Sequence, residues 1–286
     1  MTLSRRNLLE LSIGGAAAMV AGKRPAVAAR RSLDEVRESA AAFFQGRGHL
    51  PVPSLPMITG NDFNGGLRFD AFRREAPPEP WAAIQTAARI DDIAERDRPG
   101  VLAGFTVINV GFPMTADSGA TLDVALDFLV EERGLDPERM VFVSTAVSKP
   151  MIERFEPLRA GTFIERDIDE AKAAGDGSGY FAPSGHPYGP TLYTVGIYYP
   201  LGDAVAAASA YPLDGYIEIA EITVPPADAP RRRQGGSIGL ERLAMAEGKP
   251  VPDYDESRLD LLRMIEEEAE REGKPLPPGY TAFASL

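Results

Sequence analysis

Apolar residues alternate with polar ones, or run together between glycines and turns, in four segments of the chain. The β-branched and aromatic content of these segments predicts strands, at residues 104–112, 139–145, 189–203 and 214–226. In the last segment, strict alternation places Glu218 on one face of the strand and Glu221 on the other. The sequence therefore predicts that these two carboxylates point away from each other.

Other segments carry apolar residues at helical spacing and predict helices, at residues 32–46, 118–135, 238–247 and 255–272. The first of these begins with Ser32 and has Glu35 three residues later, a pattern typical of a capping box. The last is acidic and is expected to bury one apolar face, made of Leu259, Leu262, Met264 and Ile265. Residues 81–94 fit a helix or a strand equally well.

The predicted strands are long, irregularly spaced and not each followed by a helix. Parallel strands need such crossover connections, whereas antiparallel strands do not. The sequence therefore predicts an α+β fold with a largely antiparallel sheet flanked by helices. It contains neither a Gly-x-x-x-x-Gly-Lys-Ser/Thr loop nor a strand followed by Gly-x-Gly-x-x-Gly, so a bound nucleotide would be held by another device.

Residues 1–28 are predicted to be an export signal that is not part of the folded domain. Arg5 and Arg6 precede a weakly apolar run rich in glycine and alanine, and Ala26-Val27-Ala28 is typical of a cleavage site. A membrane anchor or a misplaced start codon is the alternative interpretation. We expect twin-arginine export to the periplasm or the exterior if the signal is used, and a cytoplasmic protein otherwise. Residues 29–286 are expected to form a single domain without membrane association.

Composition narrows the chemistry that this domain can perform. The chain has no cysteine, which excludes disulfides, thiolate metal sites and a cysteine nucleophile. Its histidines are His49 and His186, so a histidine-rich metal site is excluded as well. A formal net charge of −12 repels a phosphate backbone, and the basic cluster at residues 231–233 is too short to bind a nucleic acid by itself.

Six segments resemble, in the same order, motifs of the catalytic domain of alanyl-tRNA synthetases, which are class II enzymes. They are residues 31–54, with Phe-Phe and Gly-His, residues 84–89 (IQTAAR), and residues 123–143, 179–195, 216–224 and 235–244. The most specific match is Gly239-Leu240-Glu241-Arg242, which resembles the arginine-bearing motif 3. The resemblance spans most of residues 32–247. It implies a class II synthetase-like core and a possible homodimer.

The same resemblance implies binding sites for ATP and Mg²⁺. Arg89 matches the motif 2 arginine, which holds the α-phosphate, and Arg242 matches the motif 3 arginine, which holds the γ-phosphate. A guanidinium suits both sites because it is planar, permanently charged and able to bond two phosphate oxygens. Glu218 matches a glutamate that helps to order Mg²⁺, and Gly236 and Gly239 let the backbone approach the adenine. Without the resemblance, a surface ion pair for Arg89 and a helix cap for Arg242 are the simpler interpretations.

Departures from the family concentrate in the amino-acid pocket. The motif 3 aspartate that holds the substrate amino group is Gly235 here, and the asparagine of the Glu-Ile-Trp-Asn strand is Glu221. Tyr180 stands at the position of the pocket tryptophan, and the Gly-Gly-Lys after the motif 2 arginine is missing. Either Glu221 replaces the lost aspartate in a relocated amino-acid site, or the substrate has changed, or the site is dead. His186, in SGHPYGP, either lines the pocket or decorates a loop.

The leading hypothesis is a stand-alone enzyme that activates an amino acid or a related carboxylate with ATP and Mg²⁺, with Arg89 and Arg242 as catalytic residues. tRNA is not an expected partner, because the domain is acidic and no counterpart of the tRNA-recognition and editing domains follows residue 247. The alternative is an exported, non-catalytic protein that binds a small ligand on a decayed synthetase scaffold.

Overall fold

The computed structural model describes residues 29–59, 62–63, 78–113, 116, 119–155, 160–181, 192–202, 208–223 and 234–285. Within these ranges the chain has the predicted α+β fold, a largely antiparallel sheet flanked by helices. The helices of the described ranges include none that is long and apolar enough to cross a membrane. The predicted export signal and His186 lie outside the described residues.

Eleven strands occur in the described ranges. They are β1 (Leu50–Pro51), β2 (Ile58–Thr59), β3 (Asp62–Phe63), β4 (Trp81–Ala88), β5 (Gly104–Phe112), β6 (Val141–Thr145), β7 (Thr162–Arg166), β8 (Tyr180–Phe181), β9 (Leu192–Pro200), β10 (Tyr216–Thr223) and β11 (Gln234–Gly239). The main sheet has the order β1-β4-β5-β11-β10-β9-β6-β7, with β8 paired to β9, and β2 and β3 form a separate pair. Pairing is antiparallel except at the two edges, where β1 with β4 and β6 with β7 run parallel.

The helices of the described ranges come before, between and after the strands along the chain. They are α1 (29–46), α2 (Ala120–Leu126, continued by a π-helical turn at Asp127–Glu132), α3 (Lys149–Ile152), α4 (Ile168–Ala174), α5 (Leu240–Ala246), α6 (Tyr254–Glu272) and α7 (Tyr280–Ala284). The main hydrophobic core lies between the central strands and α1, α2 and α5, with Phe44, Phe128, Ile108, Ile222 and Leu243 among its buried side chains. This core fixes the position of the β11–α5 junction, which carries Arg242.

The sequence predicted the central strands well and some helix boundaries badly. The strand at residues 104–112 is confirmed with the same bounds. The chain is already helical at residue 29, so Ser32 lies inside α1 and is not its N-cap. A capping box does form at α6, where the Asp253 side chain accepts from the Glu256 N–H at 2.8 Å and Glu256 accepts from the Asp253 N–H at 3.3 Å.

One ambiguous segment turns out to be a strand, and one predicted helix begins two residues later than expected. Residues 81–88 form β4, because alternate side chains from Trp81 to Ala87 are buried against the sheet. The predicted helix at residues 238–247 begins only at Leu240, because Ile238 and Gly239 pair with β5 as the end of β11.

The buried face of α6 also differs from the predicted one. Leu262 and Ile265 are buried as predicted, but Leu259 and Met264 are exposed, and Leu261 and Ala269 are buried in their place. A polar contact contributes to this difference: the buried Glu268 carboxylate accepts hydrogen bonds from the N–H groups of Met57 and Ile58 at 2.8 and 2.9 Å. These bonds hold the Glu268 side of α6 against the start of β2, and Ile265, one turn away, faces inward with it.

Candidate active site

A cleft of about 110 Å³ opens where β5, β10 and β11 meet the start of α5. It is lined by five residues that the sequence singled out, namely Arg89, Glu218, Glu221, Gly239 and Arg242. These residues come from three distant parts of the chain. The fold therefore brings together the two predicted phosphate-binding arginines and the two glutamates of β10.

Arg242 enters the cleft from the first turn of α5. Its Nε donates to the Gly100 carbonyl at 3.2 Å, and its Nη1 donates to the carbonyl and to Oε2 of Glu218 at 3.3 and 3.4 Å. These bonds are long compared with the 2.7–2.9 Å of a typical charged pair. The side chain is 37% exposed. The guanidinium is thus positioned by weak contacts and retains capacity for an anionic ligand.

Arg89 reaches the cleft from the end of β4. It follows the last residue of β4, where its backbone N–H donates to the Ala103 carbonyl at 2.8 Å. Its guanidinium lies over the ring of Phe105, 5.8 Å from the centroid. The side chain is exposed, and its charge opposes the rise in pKa of both Glu218 and Glu221. Arg89 and Arg242 therefore both line the same cleft.

A β-bulge corrects the predicted orientation of the two glutamates. The register between β9 and β10 shifts between Glu218 and Ala220, so one residue is inserted into the alternation. Glu218 and Glu221 consequently both line the cleft instead of facing opposite sides of the sheet. Strict alternation cannot anticipate this, because a bulge changes the phase of the strand without a marked change in composition.

Burial makes both carboxylates poor acids. Burial raises the pKa of Glu218, with Asp176 adding to the rise while Arg242 and Arg89 oppose it. Burial and then the charge of Glu218 raise the pKa of Glu221 to about 8. Oε1 of Glu218 is buried and has no hydrogen-bonding partner among the described residues. The Tyr198 hydroxyl is near enough to lower the pKa of Glu218 but makes no hydrogen bond of normal geometry with Oε1, so this oxygen can still accept a cation or a donor from a ligand.

Next to Glu221 lie residues that the sequence analysis did not single out. Gly177 has φ of +88°, and a Cβ at this position would overlap the Glu221 carboxylate. Nearby, Asp176 accepts from Arg166 Nη1 at 2.7 Å and from the Tyr211 hydroxyl at 3.0 Å. The only available signal was the glycine-rich run at residues 175–179, which is compatible with many turns.

Tyr198 of β9 lies opposite Glu218 in the β9–β10 pair. The Tyr198 hydroxyl is hydrogen-bonded to the Ser178 hydroxyl. Burial, reinforced by the charge of Glu218, raises the pKa of Tyr198, so its hydroxyl stays protonated. Gly196 lies beside both groups, and a Cβ there would be 3.3 Å from Glu218 Oε1 and 3.0 Å from the Tyr198 ring. Tyr198 and Ser178 thus add polar groups next to Glu218.

The remaining predicted site residues lie elsewhere. Tyr180 is on β8, where its ring packs edge-on against Tyr193 with the centroids 5.9 Å apart, and it is not among the cleft residues. Gly235 pairs with Gly111 on β5, and Gly236 packs under Ile222. Ser237 lines the cleft in their place and donates to Asn109 Oδ1 at 2.6 Å.

Glu241 is a further buried carboxylate that the motif did not explain. It accepts a hydrogen bond from the Thr106 N–H at 2.8 Å, and the Thr106 hydroxyl in turn accepts from Arg37 Nη2 at 3.0 Å. Burial raises the pKa of Glu241, while the bond from Thr106 opposes the rise. This contact joins α5 to β5 and so fixes the helix that presents Arg242.

Among the described residues of the cleft, the candidate metal ligands are the carboxylates of Glu218 and Glu221. Within the described part of the chain, no group of three aspartate, glutamate, histidine or cysteine side chains could hold a metal by itself. Mg²⁺ is usually held by one or two carboxylates together with substrate phosphates, rather than by a cage of protein ligands. Glu218 and Glu221 fit that requirement.

Comparisons with known proteins give only distant structural neighbours. No protein-family model matches the chain, and no curated protein matches it. Similar solved structures include a pyrrolysyl-tRNA synthetase from Desulfitobacterium hafniense, with 16% identity and a TM-score of 0.44 over 88% of this chain and 85% of that chain. An aspartyl-tRNA synthetase from Entamoeba histolytica has 11% identity and a TM-score of 0.45, over 79% of this chain and 56% of that chain.

A histidyl-tRNA synthetase from S. aureus is similar at 12% identity and a TM-score of 0.39, over 76% of this chain and 69% of that chain. The neighbours named here are aminoacyl-tRNA synthetases by their descriptions. The alanyl identity stays a prediction.

Proposed function

We propose that the cleft activates an amino acid or a related carboxylate with ATP, forming an acyl adenylate and pyrophosphate. The observation that carries this proposal is the convergence of Arg89, Arg242, Glu218 and Glu221 on one cleft. Two arginines supply the charge that a triphosphate needs, and two carboxylates supply partners for a cation and an ammonium group. The resemblance of residues 239–242 to a synthetase motif agrees with this assignment.

The reaction needs positioning and charge neutralisation rather than a strong base. A carboxylate oxygen of the acid attacks the α-phosphorus, and the bond from that phosphorus to the bridging oxygen of pyrophosphate breaks, with the electron pair leaving on pyrophosphate. No proton is exchanged. Arg89 stabilises the charge that develops at the α-phosphate, and Arg242 holds the terminal phosphate. This chemistry suits a chain without cysteine.

Glu218 is the residue that would hold Mg²⁺. Its Oε1 is buried without a partner among the described residues, while its Oε2 faces Arg242. The ion would supply neutralisation of the phosphate charge. Glu221, next to Gly177, is then the partner for the ammonium group of the acid, whose positive charge would favour the ionised form of this carboxyl group. Because Gly235 offers no side chain for that group, alanine is one member of the substrate panel and not the assumed substrate.

The acidity of the chain and the predicted export signal bear on the proposed partners and location. The acceptor of the acyl group is a small molecule or carrier, and tRNA is not a proposed partner because the chain has a net charge of −12. We extend the proposal to a homodimer and to twin-arginine export, as the motifs of the sequence indicate. A folded enzyme exported in this way can leave the cytoplasm with its ligand bound.

ATP–pyrophosphate exchange tests the proposal. The purified protein is incubated with ATP, Mg²⁺ and labelled pyrophosphate against a panel of amino acids and simple carboxylates, with tRNA omitted. Exchange that depends on one acid establishes adenylation and names the substrate. Absence of exchange with every acid, together with absence of ATP binding by calorimetry, contradicts the proposal and favours the non-catalytic binding protein.

A further inference from the structure

A second cavity, of about 170 Å³, lies on the other face of the sheet from the cleft. It lies between α1, β1, β4 and β5 and is partly open to solvent, and we call it the α1 cavity. On β5, Phe105 and Val107 line the cleft, whereas Ile108 lines the α1 cavity. Because adjacent residues of a strand face opposite sides, the sheet separates the two sites. The α1 cavity is therefore not an extension of the proposed adenylation site.

Most of the α1 cavity is apolar. Its walls are formed by Phe44 of α1, Val52, Ile84 and Ile108, with small side chains at Ala41 and Ala82. The polar side chains that line it are Gln45 and His49, and no charged residue is among its described lining. A ligand that carries a formal charge would thus lose its hydration without gaining an ionic partner.

His49 is the feature of this cavity that packing does not explain. It is only 4% exposed, and it lies edge-on to the rings of Phe44 and Phe112, with centroids 5.3 and 5.1 Å away. Neither ring nitrogen has a hydrogen-bonding partner within the described chain, although the Phe44 carbonyl is near enough to affect its titration. Buried polar atoms are nearly always paired in folded proteins, so two on one ring point to a missing partner.

The protonation state of His49 limits that partner. Burial lowers the pKa of His49, with Arg47 contributing in the same direction. The imidazole is therefore neutral at physiological pH and offers one N–H donor and one nitrogen acceptor. A hydroxyl group can satisfy either of these positions, because it both donates and accepts.

We propose that the α1 cavity binds a small neutral molecule with a single aromatic ring and one hydroxyl group, which is hydrogen-bonded to His49. The size fits, since an engineered apolar cavity of about 150 Å³ is known to bind benzene. The ring would lie against the apolar side chains of Phe44, Ile84 and Ile108. The hydroxyl would supply the partner that the imidazole lacks. This site is independent of the proposed adenylation activity.

Fluorine NMR titration with para-fluorophenol tests the proposal. We expect saturable binding to the purified protein, shown by a shift or broadening of the ligand signal. Fluorobenzene has the same ring but no hydroxyl, and we expect it to bind about five-fold more weakly, as the loss of one hydrogen bond implies.

Two adjacent alanines of α1 give a matched control. Ala41 lines the cavity, whereas Ala42 is exposed on the same helix. Ala41→Leu fills the cavity and should abolish para-fluorophenol binding, and Ala42→Leu should leave it unchanged. His49→Phe places a ring of similar shape between Phe44 and Phe112. That variant should bind the two probes with equal affinity, because the hydroxyl has lost its partner.

Three outcomes would overturn the proposal. They are the absence of saturable binding by the wild-type protein, equal effects of Ala41→Leu and Ala42→Leu, and a hydroxyl preference that persists in His49→Phe. Thermal unfolding of each variant checks that it is folded. Since none of the readouts uses ATP, failure here leaves the adenylation proposal untouched, and failure of pyrophosphate exchange leaves this one untouched.

Discussion

Arg242 donates from a single nitrogen, Nη1, to both the backbone carbonyl and the carboxylate of Glu218, at 3.3 and 3.4 Å. The arginine comes from the start of α5 and the glutamate from the bulged part of β10. The pair is a loose one, and its members have separate roles in the proposed reaction. A triphosphate would draw the guanidinium away from Glu218 and leave that carboxylate available to a cation.

Arg242→Ala is expected to weaken ATP binding at least about 100-fold, because it removes the charged fork that contacts phosphate. Isothermal titration calorimetry with ATP and Mg²⁺ measures the change. Arg271→Ala is the matched control, since Arg271 is 68% exposed on α6 and its ion pair within the described chain is with its neighbour Glu272. Unchanged ATP affinity in Arg242→Ala would show that the arginine is structural.

Glu221 should make the stability of the protein depend on pH. Its pKa is about 8 in the folded protein, against 4.5 for an ordinary glutamate. A group with a raised pKa in the folded state stabilises the fold below its unfolded pKa, and this contribution is lost as pH rises through the folded pKa. Stability should therefore fall between about pH 5 and pH 8. We expect Tm of the wild type to fall about 5 °C more than that of Glu221→Gln over this range, measured by calorimetry.

The comparison with Glu221→Gln is needed because other groups titrate in the same range. Burial also raises the pKa of Glu241, and the lowered pKa of His49 acts in the opposite direction. Glu131→Gln is the control, since this side chain is 66% exposed and should follow the wild type. Parallel curves for wild type and Glu221→Gln would mean that Glu221 is ionised in the folded protein at neutral pH.

The fold could be predicted from the sequence where one physical signal dominates. The run at residues 104–112 is β-branched and bounded by glycine, and it forms β5 with those bounds. The face of α6 could be predicted only in part, because Leu259 and Leu262 fit the same helical stripe and only Leu262 is buried, on the side that the bonds of Glu268 hold against β2. A contact between residues more than two hundred positions apart leaves no local signal.

In the candidate site, too, some features could be predicted from the sequence and others could not. Arg242 and Arg89 could be singled out because a specific motif carries Arg242 and a weaker one carries Arg89, and both line the cleft. The shared orientation of Glu218 and Glu221 was missed, because a bulge is set by pairing with β9 and not by the residues of β10 alone. Asp176 and Tyr198 were missed because nothing in their local sequence separates them from ordinary loop and strand residues. Their roles depend on distance from Glu218, which only the folded chain defines.

The ion pair between Arg133 and Glu247 is expected to support the end of α5. Nε and Nη2 of Arg133 donate to the two carboxylate oxygens of Glu247, both at 2.7 Å, and the side chains are 8% and 9% exposed. Arg133→Ala should lower the free energy of unfolding by about 2–3 kcal/mol, because it leaves a buried carboxylate with Lys249 as its remaining partner.

Urea unfolding monitored by circular dichroism measures this loss. Arg133→Lys should rescue less than half of it, since an ammonium group cannot bond both oxygens in the same fork. Arg271→Ala, on the exposed face of α6, should change the free energy by less than about 0.5 kcal/mol. A loss in Arg133→Ala no larger than that of Arg271→Ala would mean that the pair is screened by water.

Glycine at position 236 is expected to be required by packing rather than by backbone conformation. A Cβ there would lie 2.5 Å from Cδ1 of Ile222 and 2.9 Å from the Glu221 carbonyl oxygen. The isoleucine methyl can rotate away, but the carbonyl belongs to the paired strand β10 and cannot. Gly236→Ala should therefore destabilise the protein by about 1–3 kcal/mol in urea unfolding.

Gly239→Ala provides the comparison within the same motif. The nearest atoms to a Cβ at Gly239 are those of the Arg242 side chain, at 3.7 Å, so the added methyl has room. The substitution should cost less than about 1 kcal/mol, which reflects the modest preference for glycine over alanine at a helix N-cap. Equal costs for the two alanines would show that β11 shifts to accommodate either one. In that case the spacing between β10 and β11, and with it the distance from Arg242 to Glu218, is not fixed by Gly236.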